Sequence, residues 1–178
     1  MILGKGAILG RLRDSNPERR LTISPILEPE QVGRCSVDIR LGNEFLLVNR
    51  ETGIMGIDPI RRGEMAESVR RYQTRVEVAY GSPFYLHPQQ FSLARTFEYL
   101  ALPSDIAGYV LGRSSWGRLG LVIATATVVE CGFKGVLVLE LANLGSVPIV
   151  LYPGMRIAQL VLHSVDAGTN IPVSPATP

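Results

Sequence analysis

The sequence has little of what metal centres and disulfide frameworks are made from. It contains two cysteines, Cys35 and Cys131, and two histidines, His87 and His163, in 178 residues. Two cysteines build neither a disulfide framework nor a metal knot, and they read as packed thiols. The histidines lie far apart without metal-ligand spacing. The paired H-x-E and P-C-x-x-C signature of the zinc deaminases is absent. So are the Walker loop, G-x-G-x-x-G and the G-x-S-x-G elbow. Any hydrolytic chemistry therefore falls to carboxylate, hydroxyl and guanidinium groups.

Charge is also scarce. Charged residues are 19% of the chain and the net charge is +2. Without a broad basic field, nucleic acid is not an expected partner, and any anion site must be local. Long apolar runs are missing too. The longest, Leu119 to Val129, is 11 residues and ends at Glu130. A membrane span needs about 20, so this run reads as a core strand. The start, MILGKGAILGRLRD, is too short in apolar residues for a secretory signal. A reduced, cytoplasmic protein with no membrane contact is expected.

What the chain does have is apolar residues, at 46%, enough for a real core. Its length suits one domain, since domains usually hold about 100–200 residues. A domain over residues 1–165 and a mobile, Pro- and Thr-rich tail over 166–178 are expected. Ile8, Leu9 and Leu12 suggest a short helix near the start. CSVDIRLGNEFLLV (35–48) alternates, and Gly42-Asn43 suggests a hairpin turn inside it. Residues 49–74 read as a charged excursion, with a helix over Glu64–Tyr72. From Val76 on, short strand-like runs recur at spacings of roughly 8–12 residues, which points to a β sandwich or barrel. Helices do not alternate with the strands, so a parallel α/β sheet is not expected.

Two stretches carry candidate chemistry. In GRSSWGRLG (112–120), Arg113 and Arg118 are permanent fork-shaped cations. Ser114 and Ser115 offer hydroxyls, and Gly112 and Gly117 let backbone N–H groups approach an anion. The stretch reads as a solvated turn or as a polyphosphate seat. In GVLVLELANLG (135–145), alternation puts Val136, Val138 and Glu140 on one face and Leu137, Leu139 and Leu141 on the other. Glu140 is then an edge-strand charge, or a partly buried carboxylate that shuttles protons. Glu130 closes a strand at a turn or contacts a sugar hydroxyl. Asp38 reads as a partner for Arg40 or Arg156. Gln159, in MRIAQLVL, is placed by alternation where it can face solvent.

Four segments occur together in one order: CSVDIRLGNEF, PFYLHPQQFSLARTFEYLALPSDIAGYVLGRSSWGRLGL, CGFKGVLVLELANLG and PGMRIAQLV. They resemble the dCTP deaminase branch of the dUTPase-like superfamily, over roughly residues 33–163 less the excursion. The resemblance implies a mainly β fold, a distorted β-barrel or jelly-roll with one or two short helices. It implies a homotrimer with shared active sites, a deoxynucleoside triphosphate substrate, magnesium bound with the triphosphate, and no zinc. It implies Glu140 as general acid/base on the water that attacks cytosine C4. Ser114 would position that water and Arg118 would orient Glu140. Arg113 and Ser115 would contact phosphates, and Glu130 and Gln159 would complete the nucleotide site.

Three departures bear on function. At the sugar-binding turn the chain reads TVVECGF (127–133), with Glu130 where the family has an aspartate and without the usual histidine. The segment from Arg118 to Gly132 is slightly shorter than in typical deaminases, closer to the dUTPases. The chain ends at Pro178 without the family's Tyr-, Lys- and Gln-containing lid. The first expectation is deamination of dCTP to dUTP and ammonia. The alternatives are a dUTP diphosphatase or a bifunctional enzyme giving dUMP, and a non-catalytic nucleotide-binding trimer.

Overall fold

The computed structural model describes residues 1–48, 73–124 and 128–166. The expected helix over Glu64–Tyr72 and the tail beyond residue 166 lie outside them. The first element is helix α1 (Lys5–Leu12), which buries Ile8 fully and packs Leu9 and Leu12 against the core. Eight residues are too few for a helix to persist alone, so this packing holds it. Arg11, in its last turn, suits the negative end of the helix. Its guanidinium also donates to both oxygens of Asp105, at 2.6 and 2.9 Å.

Strands make up most of the rest. They are β1 (Thr22–Ser24), β2 (Val37–Val48), β3 (Gln73–Glu77), β4 (Phe84–Leu86), β5 (Phe91–Ala101) and β6 (Ile106–Gly112). After a short helix α2 (Ser114–Gly117) come β7 (Leu121–Ile123), β8 (Val128–Val129), β9 (Lys134–Asn143), β10 (Ile149–Leu151) and β11 (Arg156–Ser164). One large sheet runs in the order β7-β9-β5-β2-β11-β6-β8, with β1 on β5 and β3 on β2. β4 and β10 form a separate pair. Each of these pairings is antiparallel. The expected mainly β architecture with short helices is what forms. Among the described residues no helix is long and apolar enough to cross a membrane.

The sheet curls until its two ends approach. A Cβ placed on Gly112 of β6 would lie 3.7 Å from the Cβ of Ile123 on β7, although the two strands stand near opposite ends of the strand order. The interior holds alternating side chains from these strands, including Ile39, Leu41, Phe45, Leu100, Leu139, Leu141 and Leu160. Each such side chain contributes about 1.5–3 kcal/mol by leaving water.

Two expectations about strands are corrected. Gly42-Asn43 is not a hairpin turn, because β2 runs straight through it. The pairing of β2 with β5 shifts register between Leu41 and Phe45, and a Cβ on Gly42 would stand 2.7 Å from the Arg95 carbonyl oxygen. Glycine there admits a close backbone crossing. The first half of β2 thereby pairs with β11, and the second half pairs with β3. The Leu119–Val129 run is not one core strand either. It contains β7 and β8, and it buries Leu121 and Val129 while Val122 and Val128 face outward.

Beneath the β2 end lies a buried ionic cluster. Glu98 is fully buried and accepts from the Arg40 backbone at 2.8 Å, the Arg40 guanidinium at 3.0 Å and Gln31 Nε2 at 2.9 Å. Burial pushes the Glu98 carboxyl up from its ordinary pKa, and the bonds from Arg40 pull the other way. Arg40 reaches on to Glu28 at 3.2 Å.

Candidate active site

The chain leaves β6 at Gly112 and turns through α2 into β7. Arg113 opens the turn, and its carbonyl accepts from the backbone of Trp116 at 3.0 Å and Gly117 at 3.1 Å. Trp116 fixes the turn from the side. Its indole Nε1 donates to the carbonyl of Arg156 on β11 at 3.0 Å. Gly120 closes the turn at φ +91, where a Cβ would meet the Gly145 nitrogen at 2.6 Å. Only glycine fits such a conformation at that distance. Ser114, Ser115 and Arg118 are exposed on this turn. The turn is thus rigid in backbone and presents two hydroxyls and a cation outward.

β7 delivers the chain to β9. Ile123 pairs with Leu141, and the Ala124 N–H donates to the Glu140 carbonyl at 2.9 Å. On its other side Glu140 pairs with Leu93 of β5. Strand partners on both sides exclude the edge-strand reading of Glu140. Its side chain is half-buried on the outward face, as alternation requires, with Val136 and Val138 exposed on the same face and Leu137, Leu139 and Leu141 buried on the other.

The second concentration of charge is over β2 and β11. Asp38, only 8% exposed, stands opposite Gln159. Gln159 does not face solvent as alternation allowed. It is half-buried and its Nε2 donates to Asp38 Oδ1 at 3.2 Å. Arg156 Nη1 reaches Asp38 Oδ2 at 3.3 Å, and its Nη2 reaches Glu28 at 2.6 Å. Arg113 Nη1 is 2.7 Å from the same Asp38 oxygen. That contact is an ion pair by distance without an aligned hydrogen bond, since the buried Nη1 has no acceptor in line. Asp38 therefore serves Arg156, as one expectation had it, and Arg113, while Arg40 serves Glu98 instead.

The structure thus joins Arg113 and Gln159 through Asp38. It does not join Arg118 to Glu140 within one chain: among the described residues no ion pair links them. Glu130 is exposed where β8 ends in a turn, its carbonyl accepting from Phe133 at 3.2 Å. Cys35 is exposed rather than packed, and Cys131 is half-buried; both are free thiols. Sequence reasoning missed Trp116 and the convergence on Asp38. The signal for the first was the chain's single tryptophan inside the RSSWGR stretch. The second needed strand register, because Asp38, Arg113 and Gln159 are far apart in sequence. Among the described residues no three His, Cys, Asp or Glu side chains gather to hold a metal.

Comparison with known proteins places the chain. The "dCTP deaminase, dUMP-forming" of Dictyoglomus turgidum is 42% identical over 157 residues, covering 87% of this chain and 78% of the relative. The "dCTP deaminase" of Halorubrum lacusprofundi is 41% identical over 174 residues, covering 97% of this chain and 81% of the relative. The crystal structure of 2′-deoxycytidine 5′-triphosphate deaminase from Agrobacterium tumefaciens superposes with a TM-score of 0.67 at 25% identity. That match covers 90% of this chain, which spans 46% of that one. The family profile described as dCTP deaminase-like matches residues 3–165, and with these relatives it shows that the chain belongs to the dCTP deaminase-like family.

Proposed function

We propose that this protein is a hydrolase that converts dCTP and two waters to dUMP, ammonia and pyrophosphate. The observation that carries the deamination is Glu140, a half-buried carboxylate on the outward face of β9 beside Val136 and Val138, with its backbone held by strands on both sides. Glu140 takes a proton from water, and the water oxygen attacks cytosine C4. The carboxyl passes the proton to N3, then takes the proton of the new C4 hydroxyl and delivers it to N4, so that C4=O forms, the C4–N4 bond breaks and ammonia leaves. Ser114 positions the water, and Arg118 orients the carboxylate. Arg113 and Ser115 hold phosphate oxygens through charge-assisted bonds. Gln159 steadies that side of the site through Asp38.

The relatives named dUMP-forming favour the second hydrolysis, in which water attacks the α-phosphorus and pyrophosphate leaves. Glu130, exposed at its turn, is the carboxylate assigned to that water. A second reading stops at dUTP. It is supported by the relative from Halorubrum lacusprofundi, named simply dCTP deaminase. Magnesium enters with the substrate, riding on the triphosphate, and zinc has no part in the proposed reaction.

The site is assigned to a homotrimer that shares it between subunits. Arg118 is exposed and makes no ion pair among the described residues, so it can reach a neighbour. The outward face near Glu140 carries Phe91, Tyr99, Val136 and Val138, each more than a third exposed. Such a patch fits an oligomer interface.

Product analysis tests the reading. Incubation of the protein with magnesium and dCTP, then separately with dUTP, is followed by chromatography and ammonia and pyrophosphate assays. dUMP from both substrates is expected. dUTP as the final product from dCTP supports the second reading, and no turnover of either overturns both.

A further inference from the structure

Strands β6, β11 and β2 lie side by side. Their register sets Leu111 opposite Gln159, and Gln159 opposite Asp38. Arg113 follows immediately after Gly112, the last paired residue of β6, so its side chain can cross β11 to β2. Three groups meet the Asp38 carboxylate, two from β11 and one from the turn after β6. Gln159 takes Oδ1 at 3.2 Å, while Arg156 and Arg113 share Oδ2 at 3.3 and 2.7 Å. Glu28 holds the far side of Arg156 at 2.6 Å.

Asp38 engages Arg113 through one nitrogen. A guanidinium has five N–H donors, and among the described residues the rest of this fork makes no hydrogen bond. The side chain is 30% exposed, so the fork is partly open to solvent. A free arginine carries rotamer entropy that anion binding must overcome. Contact with Asp38 removes part of that freedom before any ligand arrives. It also keeps two guanidinium groups together that would otherwise repel.

We propose that Asp38 is a positioning residue for the triphosphate: it holds Arg113 by one nitrogen and aims the remaining donors at the phosphates. This rests on Arg113 being a phosphate contact. Asp38 touches no substrate itself. It acts through Arg113, with Arg156 and Gln159 fixing the carboxylate.

The test is Asp38→Asn, which keeps the shape and removes the charge. KM for dCTP should rise about tenfold, the worth of a weakened bond to a charged group. kcat should change by less than about twofold, as expected when an interaction common to ground and transition states is lost. Binding of deoxycytidine, which lacks phosphates, should not change. In an Arg113→Lys background the Asp38→Asn change should add little, because the two residues act as a unit. Asp38→Glu retains the charge and serves as the second variant, with a smaller rise in KM. A fall in kcat at constant KM, or equal weakening of deoxycytidine and dCTP, would make Asp38 merely structural and overturn the proposal. A normal KM in Asp38→Asn with a raised KM in Arg113→Lys overturns the proposal alone. A normal KM in Arg113→Lys overturns the phosphate role of Arg113 and the proposal with it.

Discussion

The indole N–H of Trp116 donates to the carbonyl oxygen of Arg156, 3.0 Å away, and ties the RSSWGR turn to β11. Residues 40 positions apart in sequence thus fix one another, and the exposed hydroxyls and cation of the turn take a set position. Trp116→Phe keeps most of the packing and removes the donor. Stability should fall by about 1 kcal/mol, the net worth of one hydrogen bond. kcat/KM for dCTP should fall by about tenfold, less than the hundredfold that a displacement of about 1 Å can cost. Thermal unfolding and steady-state kinetics measure the two effects separately.

Glu140 and Glu130 are assigned to different bonds, so their variants should separate the two hydrolyses. Glu140→Gln should slow ammonia release from dCTP by about 10²–10⁴-fold, the usual contribution of a general acid/base. It should leave pyrophosphate release from dUTP largely intact. Glu130→Ala should do the reverse and leave dUTP as the end product from dCTP. Ammonia and pyrophosphate assays on both variants check this; full ammonia release by Glu140→Gln would remove Glu140 from the reaction.

The Glu98–Arg40 pair is a matter of stability rather than catalysis. Glu98 is fully buried and Arg40 nearly so, with their charged groups 3.0 Å apart. Glu98→Gln puts an amide NH2 among donors and leaves the arginine without its main counter-ion. Breaking a buried pair on one side costs about 3–5 kcal/mol. Urea unfolding should show a loss of that size, and a change within experimental error would mean that Arg40 finds another acceptor.

Arg11 and Asp105 predict a pH dependence. The guanidinium hydrogen bonds hold the Asp105 carboxyl below its ordinary pKa. A lowered carboxyl stabilises the fold above the unfolded-state pKa, and that stabilisation is lost as pH falls through the lowered folded-state value. Both side chains are partly exposed, at 16% and 33%, so solvent screening limits the gain to about 1 kcal/mol. Asp105→Asn should be less stable than the parent by that amount at neutral pH. The gap should close under acid, below the ordinary carboxylate range, when unfolding is followed across pH. A gap that persists there would assign the effect to packing.

Much of this protein is legible in the chain itself. Short alternating runs between turn residues dictate antiparallel strands, because the side-chain period of two matches a sheet with one wet face. The same alternation places Glu140 outward and Leu139 and Leu141 inward, as they stand. The absent metal motifs leave hydrolytic chemistry to carboxylate, hydroxyl and guanidinium groups, and the family resemblance carried by the RSSWGR and VLEL segments implies a nucleotide substrate. Tertiary structure decided the rest, for a physical reason: register and sheet curl are set by distant partners. Gly42 reads locally as a turn, yet the close passage of Arg95 makes it a crossing inside a continuous strand. Gln159 has the alternation of a solvent-facing residue, yet the register of β2 supplies Asp38. The meeting of Arg113, Arg156 and Gln159 on one carboxylate is written in no single stretch, because it exists only where three strands lie side by side.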